Sequence, residues 1–207
     1  MLINLKKLIY LIKGLKMKIA LSGAQSTGKS TLIRALKEDP LFSDFEVFSN
    51  ITRQLSQSGY KINELGEDKT QLEMMRIHSE NASVLGSAIY DRCVIDPYVY
   101  TLYLYRQGQV DKKTLNYAYN KMKENYKKYD IIFYIKPEFD IVEDGVRATD
   151  ITFRDEILKI FEEVLKEENI KTISLSGSIQ ERKDAVITHY SLSTLISLIA
   201  CMQTPTS

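Results

Sequence analysis

Short apolar runs alternate along the chain with longer stretches whose apolar residues recur every three or four positions. The short runs predict strands at 18–22, 45–48, 87–90, 131–135 and 171–175. Between them, helical patterns are expected at 29–37, from Thr70 to about Ser83, after Asp96, over Asp111 to Tyr129, and at about 150–166. Thr70 with Glu73 has capping-box spacing. Asp96-Pro97 reads as an N-cap followed by proline at the first helical position, with Gly108 closing that helix. Leu115, Tyr119, Met122, Tyr126 and Tyr129 share one helical face, and Ile157, Ile160, Phe161 and Val164 another. Strands alternating with helices predict a parallel sheet, here a three-layer αβα sandwich of the α/β class with five strands.

Both ends read as additions to a central domain at 17–188. Residues 1–16 mix the apolar run Leu8 to Ile12 with Lys6, Lys7, Lys13 and Lys16. No small-residue cleavage site follows the run, so it does not read as a signal peptide. An amphipathic extension, an upstream start before Met17, and a membrane-surface helix all fit it. In the segment 189–207, Leu192, Leu195, Ile196 and Ile199 recur at helical spacing. That stretch falls short of the about 20 residues a membrane span needs, and it reads as a packing helix.

Composition narrows the partners. A net charge of +1 over 207 residues gives no bulk attraction to nucleic acid or membranes. Cys93 and Cys201 are far apart and outside any metal-ligand spacing, which fits a reducing, cytoplasmic compartment. His78 and His189 cannot build a metal site by themselves.

The chemistry concentrates after the first strand. Gly23-Ala24-Gln25-Ser26-Thr27-Gly28-Lys29-Ser30 matches G-x-x-x-x-G-K-[ST] in full and runs through Thr31 into a helix. Its glycines let successive backbone N–H groups turn toward phosphate oxygens at the positive end of a helix. Lys29 supplies a charge for the β- and γ-phosphates, and the Ser30 hydroxyl is placed for Mg²⁺. A nucleoside triphosphate with Mg²⁺ is therefore expected. Leu21-Ser22-Gly23-Ala24-Gln25 imitates a transporter-ATPase signature, but these residues are the strand and loop themselves.

Asp91-Arg92 ends an apolar strand, at the sheet edge where such folds bind ligands. Asp91 fits a Mg²⁺-shell carboxylate or a general base, and Arg92 a bidentate phosphate contact. A strand-end ion pair is the bland alternative. Asp144, Gly145, Arg147, Asp150 and Arg154 read either as a closing lid whose arginines neutralise phosphoryl charge or as a capped helix with solvated arginines paired to Asp150 or Asp155. Arg53 is either an acceptor contact or an exposed helix residue. Asp96 is either a plain N-cap or a substrate ligand, and Tyr98, Tyr100, Tyr103 and Tyr105 are either core or a stacking surface. Gly177, after the last strand, is a candidate for the adenine pocket. Lys121, Lys123, Lys127 and Lys128 interleave with tyrosines, but acidic neighbours favour a solvated face over a nucleic-acid groove.

The phosphate loop, the strand ending in Asp91-Arg92, and the pattern Asp144-Gly145-x-Arg147 with Arg154 together resemble P-loop kinases of nucleosides and nucleotides. The likeness covers roughly 17–188 and is nearest to the ribosylnicotinamide kinase domain and its thymidylate-kinase-like bacteriophage relatives. It implies a P-loop fold of the nucleotide-kinase type and transfer of the ATP γ-phosphoryl to a nucleoside or nucleoside monophosphate. Lys29 and Ser30 become the ATP·Mg²⁺ anchors, Asp91 the base or metal-shell residue, Arg92 the acceptor-side arginine, and Arg147 and Arg154 lid residues. Relatives carry an acidic residue after the second strand. This chain has Ser49-Asn50-Ile51-Thr52-Arg53 instead, and Arg53 favours a phosphorylated acceptor. The alternatives are a polynucleotide kinase and a non-kinase ATPase. Against the second, Asn120-Lys121-Met122-Lys123 lacks the aspartate of a guanine-specific motif, and an AAA-type motor needs a second helical domain for which the chain has no room. The oligomeric state stays open.

Overall fold

The computed structural model describes residues 15–137 and 151–203. Five strands, β1 (Lys18–Ser22), β2 (Glu46–Phe48), β3 (Ala88–Asp91), β4 (Ile131–Ile135) and β5 (Ile173–Leu175), form one parallel sheet in the order β2-β3-β1-β4-β5. The helices among the described residues are α1 (Lys29–Lys37), α2 (Ile51–Gln57), α3 (Asp68–Ala82), α4 (Ile95–Arg106), α5 (Lys112–Asn125), α6 (Ile151–Glu167) and α7 (Ile179–Gln203). The sheet is all parallel because each strand pair is joined by a crossover segment carrying helix.

Period-two alternation on the central strands separates two cores. Ile19 and Leu21 of β1 and Phe133 of β4 pack on one face with Leu32, Ile33 and Leu36 of α1 and Val186 and Tyr190 of α7. Ala20, Ile132 and Tyr134 pack on the other with Met75 of α3, Val99 of α4, Met122 of α5 and Phe161 of α6. Helices on both faces make the expected αβα sandwich.

Four expectations are corrected. Helix α3 opens at Asp68, so Thr70 lies inside it, fully buried, and is no capping residue. Helix α4 opens at Ile95, so Asp96 and Pro97 lie inside its first turn. The helix expected to run to Tyr129 ends at Asn125, with a 3₁₀ turn over Tyr126–Lys128. Its buried positions are Thr114, Ala118, Met122 and Asn125; of the expected face Met122 and Tyr129 are buried, while Leu115, Tyr119 and Tyr126 pack half-buried against the same core. Leu192, Leu195, Ile196 and Ile199 are exposed, because the buried positions of α7 are Arg182, Val186, Tyr190 and Thr194. Helical spacing identifies a face without saying what covers it.

Candidate active site

The chain moves from β1 out to β2, returns through β3, and crosses to β4 on the other side of β1. The phosphate loop thus leaves β1 at the carboxyl edge where the strand order reverses, and parallel register sets Leu21 opposite Asp91. Gly23 fixes the loop's departure: its φ is +136°, and a Cβ there would lie 2.4 Å from the Ile135 carbonyl oxygen of β4. Gly28 supplies a left-handed residue, φ +83°, directly before α1. Lys29 is buried, its ammonium donating to the carbonyls of Gly23 (3.1 Å) and Ala24 (2.6 Å) and to Thr27 Oγ1 (2.9 Å).

Ser30 and Asp91, 61 residues apart in sequence, meet at the mouth of the loop, with Ser30 Oγ donating to Asp91 Oδ2 at 2.8 Å. Two oxygen donors side by side beside a phosphate loop are the ligand chemistry that Mg²⁺ prefers. Among the described residues no cluster of three His, Cys, Asp or Glu side chains offers another metal site.

Arg92 sits at φ +78°, an uncommon conformation for a residue with a side chain. The turn aims its guanidinium inward, where Nη1 donates to Asp96 Oδ1 and the Gly23 carbonyl and Nη2 to the Tyr100 hydroxyl. Burial works to lower the guanidinium's pKa, but Tyr100, Asp96 and Asp91 around it raise it overall. Asp96, 1% exposed, is the hub beneath the loop. It accepts from Ser22 Oγ (2.8 Å), Gly23 N (3.2 Å), Cys93 N (2.9 Å) and Arg92 (3.2 Å). The plain N-cap reading of Asp96 therefore fails, since its carboxylate ties the loop to α4 and to Arg92. Tyr100 completes the tie by donating to Gln25 Oε1 at 2.7 Å.

These groups line a cleft of about 720 Å³, partly open to solvent, whose walls include Gln25 to Ser30, Asn50 to Arg53, Asn63, His78, Asp91 and Arg92. It continues into a smaller inner pocket, also partly open to solvent, under Ile62, Gln71, Met74, Pro97 and Tyr100. Ser26, Asn50, Asn63 and Arg92 are four of the five described non-glycine residues with positive φ, and all four line this cleft. Backbone strain collects where structure serves a ligand. Some of the buried polar atoms without a partner lie there too, namely Gln25 Nε2, Ser26 Oγ and His78 Nε2, with Thr70 Oγ1 in the inner pocket.

The structure brings Gln25 to Ser30, Arg53, Asp91, Arg92 and Asp96 into the two connected pockets. It does not bring Arg154 there: that residue lies in the first turn of α6 with Nε 4.0 Å from Asp155, and lines neither pocket. Gly177 lines neither pocket; at φ +87° it precedes Ser178, which forms a capping box with Glu181 at the start of α7. Asp144, Gly145, Arg147 and Asp150 lie outside the described residues. Sequence reasoning missed His78, Asn63 and Gln71, and also Arg182, fully buried on α7, whose Nη1 donates to the Thr27 carbonyl at 2.7 Å. A mid-helix His or Arg carries no motif. The one available signal was a polar residue at a core-facing helical position.

A family model described as an AAA domain matches residues 18–182. No curated protein matches. Among solved structures, a deoxyadenosine kinase from M. mycoides with products dCMP and a flexible dCDP bound is 18% identical, with a TM-score of 0.63 over 84% of this chain and 97% of its own. The NadR protein in complex with NR is 17% identical at a TM-score of 0.66 over 88% of this chain, which spans only 54% of that one. After β5 the described residues form the single helix α7, so no second helical domain of a motor follows among them. The chain belongs to the AAA-domain family, on the P-loop fold of the nucleoside kinases.

Proposed function

We propose that the protein is a phosphotransferase that moves the γ-phosphoryl group of Mg·ATP to a nucleoside or nucleoside monophosphate. The observation that carries this reading is the Ser30–Asp91 hydrogen bond at the mouth of the phosphate loop, with an inner pocket opening beside it. The orphaned Gln25 Nε2 and Ser26 Oγ fit a loop built for phosphate oxygens. The kinase named in one structural neighbour and the NR bound in another support a nucleoside-type acceptor.

In this reading, loop N–H groups and Lys29 bind the phosphates, while Ser30 and Asp91 hold Mg²⁺, which neutralises phosphate charge when bound. Asp91, beside the inner pocket, orients the acceptor hydroxyl and takes its proton. Arg92, held by Asp96 and Tyr100, aims positive charge at the transferred group. From outside the two pockets, Arg147, ahead of α6, and Arg154, in its first turn, are proposed to complete the charge clamp, and Gly177 to border the adenine. Arg53, exposed on the outer rim, is proposed to meet a phosphate on the acceptor.

The deciding experiment offers purified protein with Mg·ATP to each nucleoside, each nucleoside monophosphate, ribosylnicotinamide and a 5′-hydroxyl oligonucleotide, and scores ADP and phosphorylated product. Lys29→Ala should abolish transfer. Labelling of the oligonucleotide alone, or ADP release that no acceptor stimulates, overturns the proposal.

A further inference from the structure

His78 lies on α3, one helical turn beyond Met74 and two beyond Gln71, and it borders both the outer cleft and the inner pocket. It is 2% exposed, and its Nε2 has no hydrogen-bond partner among the described residues. Leaving a buried ring nitrogen unmet is costly, and a leucine of similar size would avoid that cost. A polar atom kept at such a position serves something that arrives from outside.

The charges around it narrow what that is. Asp96, Arg92 and Asp91 are the charges whose fields reach the ring, and Arg92 and Asp96 are paired at 3.2 Å. Burial, the largest effect, together with Arg92 pushes the imidazole's pKa down to about 4 against the opposing pull of Asp96 and Asp91. The ring is therefore neutral at physiological pH, and unsuited to holding a phosphate. Apart from the Arg92–Asp96 pair, the inner pocket presents, among the described residues, only hydroxyl, amide, imidazole and apolar groups. A neutral hydroxylated group is the complement of that lining.

Resting on the kinase reading above, we propose that His78 Nε2 is a direct contact to a sugar hydroxyl of the acceptor, at the junction where the sugar passes from the inner pocket toward Asp91. His78 thereby selects acceptors that carry that hydroxyl. A site built around a buried polar group rejects the analogue lacking its partner far more strongly than an apolar pocket rejects an added group.

The test pairs protein and ligand changes. Calorimetric binding of a ribonucleoside and of its 2′-deoxy and 3′-deoxy analogues is measured, without ATP, on the wild type, His78→Leu and His78→Gln. His78→Leu should weaken binding of the fully hydroxylated acceptor about tenfold or more while leaving one deoxy analogue unaffected. His78→Gln, whose amide nitrogen falls near the position of Nε2, should restore most of the loss. Thermal unfolding should show His78→Leu at least as stable as the wild type, which a structural role for the histidine forbids. Equal loss toward all three ligands, or none, overturns the assignment while leaving the kinase reading intact. Failure of the wild type to bind any nucleoside overturns both.

Discussion

Two side chains at the candidate site behave as they do because of what surrounds them. Asp91 is partly exposed at the end of β3 and bonded to Ser30. Asp91→Asn preserves shape and removes both the charge and the proton-accepting capacity. Turnover should fall by about 10²–10⁴-fold if the carboxylate is the base, with the melting temperature little changed. Near-normal turnover would exclude that role. His78 is held neutral by burial, with a pKa of about 4 against an ordinary value of 6.5. Above pH 6.5 neither the folded nor the unfolded chain protonates it, and its contribution does not vary. Between 6.5 and 4 the unfolded chain takes up a proton that the folded one refuses, so stability falls with pH, by about 3 kcal/mol at full extent. Urea unfolding across that range should show the loss in the wild type and a shallower one in His78→Leu. At this scale the sequence was legible where spacing is imposed by the ligand, as in Gly23 to Ser30, and illegible where a role depends on burial. Asp96 beside Pro97 looked like a cap, and only the fold shows four donors converging on it.

Among elements, α1 and α7 frame the phosphate loop from one face of the sheet. Arg182 reaches from α7 to the Thr27 carbonyl, and its Nη1 lies 3.3 Å from where a Cβ on Gly28 would stand. The last helix is therefore part of the loop's support. Arg182→Met keeps the stem's volume and removes a charge-assisted hydrogen bond of about 1.5–3 kcal/mol. The KM for ATP should rise about tenfold or more while the KM for the acceptor holds. A matched rise in both would mean general distortion of the domain. The distal half of α7 is different in kind. Leu195 and Ile196 are 42% and 67% exposed, so Ile196→Lys should shift the unfolding free energy by less than about 0.5 kcal/mol. A larger loss would mean that something covers this stripe in solution. Strands were read to within two residues from apolar runs because both faces of a parallel sheet are buried. The inward face of α7 was misread because its apolar stripe and its covered stripe differ.

For the molecule as a whole, the order β2-β3-β1-β4-β5 was not written in any local pattern. Period and composition gave five parallel strands; their neighbours follow from long-range packing that no window contains. The arrangement also has a consequence in time. The earliest of the described strands is the middle one, and its partners, at Ala88–Asp91 and Ile131–Ile135, leave the ribosome some 70 and 110 residues later. Until then β1 and its phosphate loop have no completed sheet on which to form. Non-local parallel pairing of this kind folds slowly and exposes strand edges meanwhile. Ribosome-bound chains stalled before residue 131 should remain protease-sensitive throughout, with resistance appearing in one step once β4 has emerged, so that the nascent chain gains its nucleotide site late and all at once.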